Sequence, residues 1–156
     1  MPTPNSSSSA APLEAHLGFW LRFVSNHVSS RFQKLLEDKG VTVTEWVALR
    51  TLLAQGESSH AHLIDALGMT KGAASKVISR LEDKGLALRM QTAGSAREQT
   101  LVLTPKGKAL VPRLAALADA NEAHFFGHLP AKERKALMGT LQALVKHHQF
   151  KEVPTA

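Results

Sequence analysis

The chain has 156 residues, with 19 Lys and Arg against 13 Asp and Glu, a formal charge of +6 and a pI near 9.9. That length supports one domain with its own core, and the basic excess favours a polyanionic partner, although a basic enzyme could share it. The absence of cysteine excludes disulfides, a thiol nucleophile and direct cysteine redox sensing.

The first residues, MPTPNSSSSAAP, hold no basic region followed by an apolar core, so they do not read as a secretory signal. No apolar run approaches the roughly 20 residues needed to span a bilayer. The expectation is a cytoplasmic protein without a membrane partner, in which 1–12 form a disordered tail and 13–150 a single domain. From Leu13 to Asp38, apolar residues at Leu13, Leu17, Trp20, Val24, Val28, Phe32 and Leu35 recur in steps of three and four. They predict one long amphipathic helix ended by Gly40, and Phe19, Leu21 and Phe23 widen its apolar surface. Thr42-Val43-Thr44-Glu45 is a capping box that opens a second helix through about Ala54, with Trp46, Leu49 and Leu53 as its buried row.

Ala61, Leu63, Ile64 and Leu67 predict a short helix ending at Gly68. Only Met69 and Thr70 precede the next helix, so the two must cross steeply, as in a helix-turn-helix. Thr70 is an N-cap, the helix runs from Lys71 to about Lys84, and Gly85 is the left-handed residue beyond it. Its apolar stripe is Ala74, Val77, Ile78 and Leu81. The opposite face presents Gly72, Ser75, Lys76 and Ser79, with Lys71 at the start and Arg80 beside the stripe. Such a narrow, cationic face fits a major groove about 12 Å wide, and a hydroxyl-capped helix start suits a phosphate. An isolated polar face is ordinarily only a solvated surface; the flanking elements change that. Leu86–Gln91 and Thr100–Leu103 alternate as strands around small turn formers, which makes a hairpin with Arg97 at its tip. A helix-turn-helix followed by a hairpin is a winged helix, here over 42–104, and a tip arginine can enter the narrow minor groove.

Thr104-Pro105 caps and starts a helix carrying Leu110, Val111, Leu114, Leu117 and Phe125, which Pro112 should bend. Pro130 restarts a last helix with Leu137, Leu141, Leu144 and Val145 on one face. The terminal helices, 13–40 and 105–150, offer more apolar surface than a small winged helix can cover. They predict a homodimer, the alternative being a monomer that folds them onto its own core. A two-fold dimer would hold its reading helices about 34 Å apart, suited to a pseudo-palindrome on double-stranded DNA.

The segments VTVTEWVALRTL, LIDALGMTKGAASKVISRLEDKGL and AREQTLVLTPKGKAL resemble those of multiple-antibiotic-resistance regulator (MarR) family repressors. The likeness extends from Leu13 to Phe150. It implies a mostly α winged helix-turn-helix with a small β-hairpin wing and terminal dimerisation helices. It also implies binding to operator DNA as a transcriptional repressor, relieved by a small aromatic or amphipathic effector. By position, Thr70, Lys71, Gly72, Ser75 and Lys76 match the family's DNA-facing helix and Arg97 its wing arginine; Ser79 and Arg80 join them on spacing. Ser95 departs from the family, which has Asp two residues before that arginine to orient it. Serine accepts more weakly, so a looser wing is implied.

For an effector, His16, Trp20, Trp46 and Arg50 are candidate liners, an aromatic box with one cation; both tryptophans also read as core residues. A regulatory metal is not expected. His60 and His62 would point to different sides of a helix, and His147 and His148 look solvated. His124 and His128 have ligand spacing, but the break at Leu129-Pro130 follows. No cofactor is called for. An enzyme is the runner-up class: no nucleophile elbow, phosphate loop, paired carboxylates or His-Glu-x-x-His helix is present. A winged helix that docks protein instead of DNA is a further alternative, and the cations Lys71, Lys76 and Arg97 speak against it.

Overall fold

The computed structural model describes residues 10–91 and 99–151. Leu13–Ala15 form a single 3-10 turn, followed by α1 (Leu17–Glu37), α2 (Val43–Gln55), β1 (Glu57–Ser59), α3 (His60–Leu67) and α4 (Lys71–Asp83). After these come β2 (Ala87–Gln91), β3 (Gln99–Leu103), α5 (Pro105–Phe126) and α6 (Ala131–His148). The fold is mostly α with a small sheet, as the sequence predicts, and no helix among the described residues is long and apolar enough to cross a membrane.

Three helices begin as their sequences dictate. The hydroxyls of Thr42, Thr70 and Thr104 accept from the amides of Glu45, Ala73 and Gly107 at 3.1–3.2 Å, each satisfying an otherwise unpaired donor. Gly68 and Gly85 take left-handed φ values of 62° and 70°, which turn the chain out of α3 and α4 without the penalty a Cβ would bring. The core forms where α2, α3 and α4 meet the sheet and the first half of α5, with Leu36, Leu49, Leu52, Leu63, Leu67, Ile78, Leu81, Leu101 and Leu114 almost wholly buried.

Three features differ from the sequence reading. The first helix does not run unbroken from Leu13: His16 is extended (φ −103°, ψ 129°), and α1 starts one residue later. The Trp20 indole N–H donates to the Glu14 carbonyl at 2.8 Å, which holds the preceding turn against the helix start instead of in line with it. The sheet has a third strand: β1 pairs antiparallel with β3, giving the order β1-β3-β2. Leu53 is more than a third exposed, and the buried row of α2 is Glu45, Ala48, Leu49 and Leu52. Helix α5 continues through Pro112, which lies on its exposed side.

The N-terminal half of α1 and all of α6 stay uncovered. Helix α6 has no buried residue, and Leu137, Met138, Leu141, Leu144 and Val145 are each 38–50% exposed. Leu17, Trp20, Leu21, Phe23 and Val24 of α1 are exposed to a similar or greater degree. The end of α1 and the first half of α5 do pack on the chain's own core, through Leu36, Val111 and Leu114, whereas the first half of α1 and α6 do not.

Candidate nucleic-acid interface

Helix α4 is two-sided. Ala74, Val77, Ile78 and Leu81 are buried at 0–4% exposure and fasten it to the core. On the other side Thr70, Lys71, Gly72, Lys76, Ser79 and Arg80 are exposed, and Ser75 is half-buried at the edge. With 3.6 residues per turn, Gly72, Lys76 and Ser79 lie near the middle of the free face. Of the seven residues predicted on or beside this helix, Gly72, Lys76 and Ser79 share the free face, Ser75 and Arg80 lie toward its edges, and Thr70 and Lys71 stand at the helix start. Arg97 and Ser95, predicted at the wing, fall outside the described residues.

Among the described residues, Lys71, Lys76 and Arg80 have no ion-pair partner. Their charges are therefore free to meet an external anion. The carboxylate of Glu82, at the far end of the same helix, would repel a phosphate. It is neutralised from the sheet: Arg89 Nε on β2 lies 2.6 Å from Glu82 Oε1, and Arg89 Nη2 also donates to Ser79 Oγ at 3.4 Å. Arg89 was not singled out from the sequence. Strand alternation gives its side of the sheet, since Ala87 two residues before it is buried. Its partners on α4 emerge only when the strand and helix pack.

His60 opens α3 beside this surface. Its Nε2 is buried without a hydrogen-bond partner among the described residues. Burial pushes its pKa below the usual value, and the nearby cations Arg89 and Lys71 push the same way. His62 instead shares a 2.8 Å contact with Gln55.

The predicted effector residues do not form one box within a chain. His16 and Arg50 are exposed. Trp20 is half exposed and lies against Phe19 (5.2 Å between centroids) and Phe23 (6.5 Å). Trp46 packs edge-on to Phe32 at 6.2 Å, against the core. Trp20 and Phe32 are twelve residues apart on α1, about 18 Å at 1.5 Å per residue. A cleft of about 320 Å³ opens between α1 and the end of α5, lined by Phe23, Val24, His27, Phe125 and Phe126, with His27 stacked on Phe23 at 5.3 Å. No group of three or more metal-ligating side chains occurs among the described residues, and His128 lies in the turn beyond α5.

The family model of the MarR family matches residues 39–98, from the end of α1 to the wing. The HTH-type transcriptional repressor Rv2887 of Mycobacterium tuberculosis is 30% identical over 131 residues, which cover 84% of this chain and 94% of that protein. This chain belongs to the MarR family. A solved structure of BpsR from Bordetella bronchiseptica, whose DNA binding is regulated by 6-hydroxynicotinic acid, superposes with a TM-score of 0.75 at 26% identity. It covers 87% of this chain and 97% of its own. A mutant Escherichia coli MarR in complex with operator DNA has a TM-score of 0.73 over 83% of this chain and 93% of its own, and its 20% identity speaks to the fold alone. The MarR family is one of transcriptional regulators, and the winged helix described above is their fold.

Proposed function

We propose that this MarR-family protein is a dimeric repressor that reads a pseudo-palindromic operator with α4 of each copy and is released by a small aromatic or amphipathic effector. The observation that carries the reading is the face of α4: three unpaired cations flank a strip of Gly, Ser and Thr on a helix anchored by its opposite side. In this reading Thr70, Lys71 and Arg80 hold phosphates, Gly72 allows close approach, and Ser75, Lys76 and Ser79 face base edges. Arg97 enters the minor groove. The second copy is supported by the bare apolar faces of α1 and α6, which water would otherwise cover.

Effector release is supported by the likeness to BpsR and by the aromatic cleft between α1 and α5, whose volume suits a ligand of one or two rings. Trp20 borders Phe23 of that cleft, whereas Trp46 serves the core. The test is a gel shift at rising salt on a duplex recovered by selection from a random pool. If Lys71 and Arg80 of both copies neutralise phosphates, log affinity should fall with log salt at a slope of about −3.6. A slope near zero would leave a protein-docking module in its place. Arg97→Ala should weaken binding to all sequences alike, because the minor groove is read there by width and charge.

A further inference from the structure

We propose that Lys84 is a positioning residue for operator reading: its ammonium ties the exit of α4 to the end of α1 and the start of α2, and so sets the angle at which α4 leaves the body. The proposal rests on the two-copy reading above. Lys84 Nζ donates to the Gly40 carbonyl at 2.7 Å and to Glu45 Oε2 at 2.6 Å. Glu45 is 1% exposed, so its carboxylate depends on this partner in a place where an unpaired charge is costly.

Three residues of the exit, Lys84, Gly85 and Leu86, are held from the other side by the start of α5. Lys106 Nζ donates to the Lys84 carbonyl at 2.9 Å, Thr104 Oγ1 donates to the Gly85 carbonyl at 2.6 Å, and the Thr104 amide donates to the Leu86 carbonyl at 3.0 Å. The loop after α1, the first turn of α2 and the start of α5 therefore all meet one short segment, 84–86. Helices α1 and α5 are also locked to each other higher up. Buried Asn121 of α5 donates to the Val28 carbonyl of α1 at 3.1 Å and accepts from Arg31 at 2.9 Å. The α1–α5 pair is thus joined to itself, and the 84–86 segment is where the start of α5 and the loop after α1 grip the exit of α4. Toward its start α4 follows the short α3 after Met69 and Thr70, and Ala74, Val77, Ile78 and Leu81 seat it on the core.

The lever is long enough to matter. Thirteen residues of helix span about 20 Å, so a tilt of about 10° about the exit moves Lys71 by about 3.5 Å, close to one base-pair step. A misplaced α4 in each copy would change which half-site separation fits. Beside the core contacts of α4, the Lys84–Glu45–Gly40 contact narrows that freedom at the exit, because two acceptors fix one ammonium in direction as well as distance.

The test uses the whole protein and a set of duplexes in which the selected half-sites are moved apart or together one base pair at a time. The variants are Lys84→Arg, which keeps a donor for both acceptors, and the double change Lys84→Met with Glu45→Met, which removes both charges together so that the fold does not carry a lone carboxylate. Folding and oligomeric state are checked by circular dichroism and sedimentation. The unaltered protein and Lys84→Arg should lose about tenfold in affinity per base pair of altered spacing, the scale of one lost base contact. The double variant should lose about twofold or less per step while remaining folded and dimeric. A folded double variant with the unaltered protein's spacing profile would overturn the role of Lys84. An unaltered protein that shows no preferred spacing would instead overturn the two-copy reading, and this inference with it.

Discussion

Gly72, the second residue of α4, has open space where a Cβ would stand, so the fold gives no reason for glycine at this exposed helical position. If the groove supplies that reason, Gly72→Ala should raise stability by about 0.5–1 kcal/mol, as alanine favours helix, and yet weaken operator binding. Thermal melting and a gel shift on one preparation check both signs. Lys76→Ala should shift which sequence is preferred, at about 1–3 kcal/mol for a lost base contact, as read by repeating the selection with the variant. His60 carries a pH prediction. Its folded-state pKa lies below the ordinary value near 6.5, first from burial and then from Arg89 and Lys71. The unfolded chain takes up the proton first on acidification, so this residue's contribution should be full above pH 6.5 and lost as pH falls toward its lowered pKa. Melting His60→Gln beside the parent between pH 5 and 8 checks it: the variant should lose that part of the slope. Periodicity of 3.6 placed Ala74, Val77, Ile78 and Leu81 on the buried side and Gly72, Lys76 and Ser79 on the exposed one, with Ser75 at the edge, because burial decides the faces of a single helix. The pairing of Lys84 with Glu45 joins residues 39 apart in sequence, and that of Arg89 with Glu82 needs the angle at which β2 turns back on α4, so no periodicity within one element encodes either.

Elements fared according to how much local chemistry marks their ends. Thr42, Thr70 and Thr104 announce α2, α4 and α5, and the observed starts at Val43, Lys71 and Pro105 agree with them. Strand β1 was illegible: Glu57-Ser58-Ser59 has no apolar alternation, and it becomes a strand only because β3 offers a free edge. The break before α1 was hidden for a related reason. Leu13 continues the apolar spacing, but a tryptophan one turn into the helix captures the Glu14 carbonyl. Helix α5 must begin against the recognition unit, and Gly107 permits this. A Cβ there would stand 2.1 Å from the Leu86 carbonyl oxygen, a backbone atom that cannot swing away. Gly107→Ala should therefore destabilise by about 2–3 kcal/mol, measured by urea unfolding; an unchanged midpoint would show that α5 and the exit of α4 are not packed so closely.

At the scale of the whole molecule, the chain divides its labour between a compact reading unit and long helices that bury little of their apolar surface alone. The reading unit closes its own core around Leu49, Leu63, Ile78 and Leu101. Helix α6 and the first half of α1 do not do the same, and in the proposed dimer a second copy covers them. Residue spacing revealed that surplus, but a single chain holds no record of how two copies are turned relative to each other. The predicted effector box is the clearest case: Trp20 and Trp46 belong to separate aromatic groups in one chain. The central claim is that two α4 helices are held so as to enter successive major grooves of one duplex. Selection of bound duplexes from a random pool tests it most directly. It should recover an inverted repeat with half-site centres about 10 base pairs apart, bound by two chains. Recovery of a lone asymmetric half-site bound by one chain, or of no enriched sequence at all, would contradict it.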